Sequence, residues 1–227
     1  MTVETIIAEL KSNADPSAVK GMARFGISSE RTLGVPVPVL RAIARKTGKD
    51  HGVALGLWES GIHEARILAS MLDDSKKVTK GQMEAWVKDF DSWDVCDQCC
   101  GNLFDRTPYA FEKAQQWSRR DGEFVRRAGY VLMAELAVHD KGAADSKFMQ
   151  FFGDIELGAT DSRNFVKKAV NWAIRQIGKR NARLNGEAVR LAKKVGRIDS
   201  PSAKWIASDA LRELGSDAVR EKLRRSS

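Results

Sequence analysis

The sequence predicts an all-α protein built from repeated pairs of helices. Two observations support this fold class: apolar residues recur at helical spacing along most of the chain, and a short helical pattern returns at a fixed interval. Strand signals are weak, because runs of β-branched residues are few and the 227 residues include only two tyrosines. Only five prolines are present, so few positions would interrupt a helix. We expect about a dozen helices, most of them about 10–16 residues long, in a single domain of residues 1–227.

Apolar stripes place three of these helices in chain order. Residues 62–73 carry the first clear stripe. The next two stripes are Val125, Ala128, Leu132 and Leu136, and then Val166, Val170, Ala173 and Ile177. Steps of three and four residues return to the same side of a helix, so each set predicts one buried helix face.

Prolines and glycines mark the expected helix boundaries. Proline suits the first turn of a helix, and glycine suits the residue after its last turn. The prolines near predicted starts are Pro16, Pro36, Pro108 and Pro201, and the glycines near predicted ends are Gly61, Gly101, Gly153, Gly178, Gly196 and Gly215.

The helices repeat weakly along the chain. The pattern Val-Arg-Arg-Ala at 125–128 returns as Val-Lys-Lys-Ala at 166–169, an offset of 41 residues, and weaker copies lie at 64–66 and 204–207. Helix pairs that recur about every 40 residues are typical of HEAT-type α-solenoids, whose inner helices line a concave surface. An ordinary helical bundle is the alternative for repeats this weak.

Basic residues concentrate in the C-terminal part of the sequence. Residues 161–227 hold 17 Lys and Arg against seven Asp and Glu, a net charge of +10, whereas residues 1–160 carry −2. Such asymmetry is typical of proteins that bind a polyanion, so we expect the concave surface to be basic. A solvated basic face is the alternative. A membrane surface is a weaker candidate, because the charges lie on several separate helices.

Composition excludes several other classes. No apolar run approaches the roughly 18 residues of a membrane span, and residues 1–5 do not resemble a secretory signal. Cys96, Cys99 and Cys100 are the only cysteines. Three thiols so close together do not form a disulfide framework, and one Cys-x-x-Cys without a second pair is a poor zinc site. We expect structural thiols, no metal and a cytoplasmic setting.

The predicted helix over residues 163–179 carries a second, non-apolar face. Lys168, Trp172, Arg175 and Lys179 follow one another at steps of four, three and four residues. Cations that neutralise phosphates beside an aromatic ring suit a nucleic-acid surface. Because Arg127 aligns with Lys168 in the repeat, it should lie on the same inner surface.

Trp93 and Asp97 combine a large ring with a carboxylate on one helix face. They are four residues apart in a predicted helix, and therefore project side by side. An acid in the first turns of a helix most often interacts with the helix dipole, and a Trp beside it is most often core. On a DNA-facing surface, however, phosphates repel an acid, which suggests that Asp97 performs chemistry or pairs with Arg127.

At these residues the chain resembles the AlkD-like DNA alkylation repair enzymes, the HEAT-like alkylpurine DNA glycosylases. The resemblance covers roughly residues 20–215, and its segments lie in family order. They are Met22–Phe25, Gly34–Arg41, His63–Arg66, Trp93–Asp97, Phe124–Ala128 and Phe165–Arg175.

The resemblance implies a site and a mechanism. The catalytic carboxylate would be Asp97, the flanking aromatic residues Trp93 and Trp172, and the arginine that holds the DNA backbone Arg127. Phe25 stands where the family has a tyrosine, so the aromatic ring is kept and the hydroxyl is lost. An alkylated purine is already cationic and leaves easily, so an anion near the sugar carbon would stabilise the transition state. No cofactor and no metal are implied.

Three functions follow as alternatives. The first is a monofunctional glycosylase that excises N3- or N7-alkylated purines from duplex DNA; its DNA-binding residues would be Arg127, Phe25, Lys168, Arg175 and Lys179. The second is a non-catalytic binder of damaged or branched DNA, and the third a protein-binding scaffold, against which the row of cations argues. We expect a monomeric, cytoplasmic bacterial protein without an obligate protein partner. The preferred lesion stays open.

Overall fold

The computed structural model describes residues 1–225, whose regular secondary structure is entirely helical, with no β-strand. The α-helices are α1 (Val3–Ser12), α2 (Pro16–Ala23), α3 (Val37–Thr47), α4 (His51–Glu59), α5 (His63–Leu72), α6 (Lys80–Lys88), α7 (Trp93–Asn102), α8 (Ala110–Ser118), α9 (Glu123–His139), α10 (Asp145–Met149), α11 (Phe152–Gly158), α12 (Asn164–Gly178), α13 (Ala182–Val195), α14 (Pro201–Leu214) and α15 (Asp217–Arg225). A short 3-10 helix at Phe104–Arg106 follows α7. The predicted all-α class is confirmed.

The chain divides into two compact units, residues 1–107 and residues from 108 onward. In the first unit, α4 packs against α5, and α5 in turn packs between α3 and α7. In the second unit, α8 pairs with α9, α11 with α12 and α13 with α14, while α12 packs between α9 and α14. Within each unit, the later helix of successive pairs therefore stacks on its equivalent, as in a helical-repeat fold. The single-domain assignment stays a prediction.

The repeat inferred from the sequence matches the observed helices. Segments 125–128 and 166–169 both begin two residues after the first residue of their helices, α9 and α12. The helix predicted for 163–179 runs from Asn164 to Gly178, and the one predicted for 62–73 from His63 to Leu72. One boundary residue is wrong: Gly153 is the second residue of α11 rather than the end of a helix.

Pro16 and Pro201 begin their helices, as predicted, because the missing proline N–H costs nothing in the first turn. None of the helices among residues 1–225 combines the length and the apolarity that a membrane span needs.

A buried carboxylate fixes the entry into α3. Glu64, 1% exposed, accepts hydrogen bonds from the backbone N–H groups of Leu33, Gly34 and Val35. Gly34 has a φ of +81°, and a Cβ there would lie 2.2 Å from the carbonyl oxygen of Asp15, so only glycine fits without a backbone shift. This contact joins α5 to the loop that follows Phe25.

Ion pairs hold the start of α12. Arg126 of α9 and Arg163 both bind the carboxylate of Asp161, at 3.0 and 2.6 Å. Burial alone would raise the pKa of Asp161, but its hydrogen bonds to Arg163 and Arg126 outweigh this and lower the pKa to about 2. Asp161 therefore stays ionised and ties α9 to the first turn of α12.

Candidate functional site

Helix α7 carries the predicted carboxylate. Trp93 is its first residue, Asp97 lies about one turn later, and both side chains are half-buried. The next positions toward the core, Val95, Cys96, Cys99 and Cys100, are fully buried. The amphipathic pattern thus presents Trp93 and Asp97 at the boundary between core and solvent. This is where a charged group keeps access to a ligand without the full cost of burial.

Trp93 is held by the predicted aromatic residue of the N-terminal region. Its indole Nε1 donates a 3.1 Å hydrogen bond to the carbonyl oxygen of Phe25. The Phe25 side chain is 69% exposed, one of the most exposed large apolar groups among residues 1–225. The contact is made by the backbone of Phe25, and its exposed ring is available for contact with a ligand. The structure therefore brings Phe25 and Trp93 together, as a shared site requires.

A histidine–aspartate pair anchors the first turn of α7. His63 Nε2 lies 2.8 Å from Asp94 Oδ2, and the other oxygen of Asp94 accepts the N–H of Val95. Burial by itself would lower the pKa of His63, but the hydrogen bond and charge of Asp94 outweigh it and raise this pKa. Burial likewise opposes the ionisation of Asp94, yet His63 holds the pKa of that carboxyl below its usual value. Both residues lie in segments that carry the family resemblance, but the sequence did not indicate that they pair with each other.

The three cysteines on α7 are not in disulfide bonds and are fully buried. Burial raises the pKa of Cys99 and Cys100 well above the usual thiol range, which opposes the thiolate form that metal binding and nucleophilic attack require. The structure thus agrees with the expectation of structural thiols.

Helix α12 carries the predicted row of cations, but two of its members are engaged. Arg175 pairs with Glu213 and lies 3.4 Å from Asp209, and Lys179 lies 2.6 Å from Glu213. These two cations are therefore partly neutralised, because α14 packs beside α12 and supplies the acids. Their assignment to DNA binding stays a prediction. Lys168 is exposed, and Trp172 is half-buried between these charged positions.

Asp209 and Glu213 were missed by sequence reasoning. They lie four residues apart on α14, and Asp209 also accepts a 2.7 Å hydrogen bond from the buried Asn171. The partners lie 38 residues apart, close to the repeat offset. Aligning α14 with α12 would therefore have placed these acids opposite the cations.

Arg127 is buried, with 6% of its surface exposed. Its guanidinium donates a 2.6 Å hydrogen bond to the carbonyl oxygen of Phe165 on α12. Arg127 thus differs in exposure from Lys168, with which we expected it to share an inner surface, although the two residues occupy equivalent helix positions. The reason is that α12, which packs against α9, presents the backbone carbonyl of Phe165 there, and Arg127 donates a hydrogen bond to it. Its assignment to DNA binding stays a prediction.

Each unit thus holds its own part of the predicted site. The first unit holds Phe25, Trp93 and Asp97, and the second holds Arg127, Lys168, Trp172, Arg175 and Lys179. The residues of the first unit offer aromatic rings and a carboxylate, which favour binding of a cation. The residues of the second unit offer cations and one indole, which favour binding of phosphates.

An all-α repeat fold that carries aromatic residues with a carboxylate in one unit and a row of cations in the other is typical of helical-repeat DNA-binding proteins. The chain belongs to the DNA alkylation repair enzyme family, whose model matches residues 6–214. No curated protein is similar enough in sequence to count as a relative.

One solved structure agrees with this chain on the fold. It belongs to a new family of proteins related to the HEAT-like repeat DNA glycosylases, with affinity for branched DNA structures. It aligns with a TM-score of 0.82 and 19% identity, over 98% of this chain and 96% of that one. At this identity the likeness concerns the fold, and it confirms the predicted HEAT-like repeat architecture. A designed armadillo repeat protein in complex with the peptide (KR)4 aligns with a TM-score of only 0.36 and 13% identity, over 82% of this chain and 79% of that one.

Proposed function

We propose that this protein is a monofunctional DNA glycosylase that hydrolyses the N-glycosidic bond of positively charged N3- or N7-alkylpurines in duplex DNA. The observation that carries the proposal is Asp97, a half-buried carboxylate one turn from Trp93 on α7, in a chain of the DNA alkylation repair enzyme family. A carboxylate in this position could take part in hydrolysis of the glycosidic bond. Binding of DNA alone does not require a carboxylate.

Asp97 would act on the sugar. As the bond from C1′ to the purine nitrogen breaks, its electron pair goes to the cationic base, which leaves neutral, and the deoxyribose becomes an oxocarbenium ion. The carboxylate stabilises this cation and orients the water that adds to C1′; the proton of that water passes to the carboxylate and then to solvent. Because the base is already charged, no strong general acid is required.

The aromatic residues would position the damaged nucleotide. Trp93 and Phe25 lie next to each other in the first unit, and Trp172 would contribute a second indole from α12. Ring faces attract cations, so they favour an alkylated purine over a neutral one. Lys168 and the other cations of α12 would bind the flanking phosphates, which sets position rather than lesion choice.

The decisive experiment compares two Asp→Asn variants of α7. Asp97→Asn should leave the melting temperature and DNA affinity nearly unchanged, and should lower single-turnover release of 7-methylguanine on the order of 10²–10³-fold. Asp94→Asn is the matched control, since it makes the same swap on the same helix. It should lower the melting temperature through loss of the His63 pair, and leave release per folded molecule intact.

The opposite pattern would contradict the proposal. If Asp97→Asn lowers only the melting temperature and retains full single-turnover release, Asp97 is a structural residue and the chemistry belongs elsewhere.

A second candidate is a non-catalytic binder of branched or damaged DNA. Two observations favour it: the solved relative related to the DNA glycosylases has affinity for branched DNA structures, and Phe25 lacks the hydroxyl that the family resemblance leads one to expect. This candidate predicts tighter binding to a four-way junction than to a linear duplex of equal length, with no release of 3-methyladenine or 7-methylguanine from methylated DNA.

A further inference from the structure

A basic cleft lies in the second unit, beside the C-terminal ends of α9 and α12. Its volume is about 450 Å³, enough for a phosphate group with its attached sugar. Its wall combines the connection after α9, the N-cap of α13 and one residue of α15. The charged and polar residues that line it include Lys141, Asp145, Lys179, Arg180, Asn181 and Lys222.

The charge of the cleft is strongly positive. Four of these side chains are cations, and Asp145 is the one acid among the residues that line the cleft. Asp145 accepts a 2.8 Å hydrogen bond from Asn181, and Lys179 is paired with Glu213. Lys141 and Lys222 are exposed, and the four cations outnumber the single acid of the lining.

Arg180 provides a fixed positive charge in the wall. Its guanidinium donates hydrogen bonds to the carbonyl oxygens of Ala137 and Asp140, at 2.8 and 2.9 Å, and lies over the ring of Phe148 at 4.0 Å from the centroid. A guanidinium held in this way needs no rearrangement when an anion arrives, so it contributes preorganised electrostatic attraction.

The position of the cleft indicates the source of the anion. Lys179 belongs both to the cleft and to the row on α12 that contains Lys168 and Trp172, and Gln176 also lines the cleft. A DNA strand that follows this row toward the end of α12 therefore reaches the cleft directly. We propose that the cleft binds a backbone phosphate of the DNA that flanks the segment on α12. This inference rests on the proposed DNA-directed function and extends its binding surface to α15.

The test removes the two exposed lysines. The double variant Lys141→Gln and Lys222→Gln should reduce the slope of log K against log salt, measured with a linear duplex, by about one unit per lysine. The double variant Lys193→Gln and Arg197→Gln is the matched control, since both residues are exposed, belong to the same unit and do not line the cleft. This control should keep the wild-type slope.

The outcomes separate this inference from the proposed function. A wild-type protein that does not bind DNA contradicts both. If the wild type binds DNA and the cleft variant has the same salt slope, only the proposal about the cleft is overturned. The same holds if the cleft variant and the control lose equal amounts of slope. A further arm adds inorganic phosphate at constant ionic strength. If phosphate raises the melting temperature of the wild type but not of the cleft variant, while both keep the same DNA slope, the cleft binds free phosphate and the DNA assignment is overturned.

Discussion

Arg127 and Lys168 occupy equivalent positions in α9 and α12, and yet their environments are opposite. Arg127 is buried and bonded to the backbone of the neighbouring helix, whereas Lys168 is exposed. Side-chain identity alone does not distinguish a structural cation from a phosphate-binding one. What distinguishes them is whether the helix packed alongside presents a backbone carbonyl within reach of the cationic group.

Substituting alanine at these two positions should therefore give opposite results. Arg127→Ala removes a buried side chain and the donor that satisfies the carbonyl oxygen of Phe165, and we expect it to lower the free energy of unfolding by about 1–3 kcal/mol. Lys168→Ala should leave the melting temperature unchanged and reduce the salt slope of DNA binding by about one unit. Thermal unfolding and salt titration of both variants provide the check. A stable Arg127→Ala protein with a strongly reduced slope would return Arg127 to the DNA-binding surface.

At the scale of the element, α12 and α14 form a charged interface. Glu213 bridges Arg175 and Lys179. Burial alone would raise its pKa, but Lys179 and Arg175 hold the pKa of this carboxyl below its usual value. The acid therefore stays ionised and neutralises part of the row that sequence reasoning assigned to DNA.

Releasing these cations should strengthen DNA binding. The pairs are partly exposed and contribute about 0–1 kcal/mol to stability, so Glu213→Gln should shift the melting temperature little. It should raise affinity for duplex DNA and steepen the salt slope, because Lys179 loses its paired acid and Arg175 keeps only Asp209. Glu187→Gln is the control, since Glu187 pairs with Arg190 on α13. Unchanged affinity in Glu213→Gln would mean that the row does not meet DNA.

The elements themselves were predictable because helical periodicity is a local property. The stripes on α5, α9 and α12 and the prolines at Pro16 and Pro201 placed helices close to their observed bounds. The pairing of Arg175 with Glu213, and the burial of Arg127, depend on residues 38 positions away. Helical periodicity carries no information about contacts between distant helices. The repeat offset does indicate roughly how far along the sequence the contacting residue should lie.

At the scale of the molecule, net charge is unevenly distributed. Residues 161–227 carry +10, and residues 1–160 carry −2. Several cations of the basic segment are paired with acids, among them Lys194 with Glu156 and Lys204 with Asp199. The net charge of residues 161–227 is nevertheless positive. This positive charge would attract a phosphate backbone over distances longer than a hydrogen bond.

Binding of the wild type to linear duplex DNA should accordingly weaken steeply as salt rises. We expect a slope of about −3 or steeper in log K against log salt, since each neutralised phosphate contributes about −0.9. The measurement is a fluorescence anisotropy titration at several salt concentrations, on duplexes with and without methylation. A slope near zero would remove nucleic acid as the partner.

The bond between Trp93 and Phe25 has an evolutionary consequence. It is made by the backbone carbonyl of Phe25, which any residue at that position would also offer, while the ring itself projects into solvent. Mutation at position 25 can therefore alter the chemistry presented to a ligand without disturbing the support of the indole. Selection is free to explore ligand preference there at little cost to folding, and exchange of a tyrosine for phenylalanine is the kind of step this architecture tolerates.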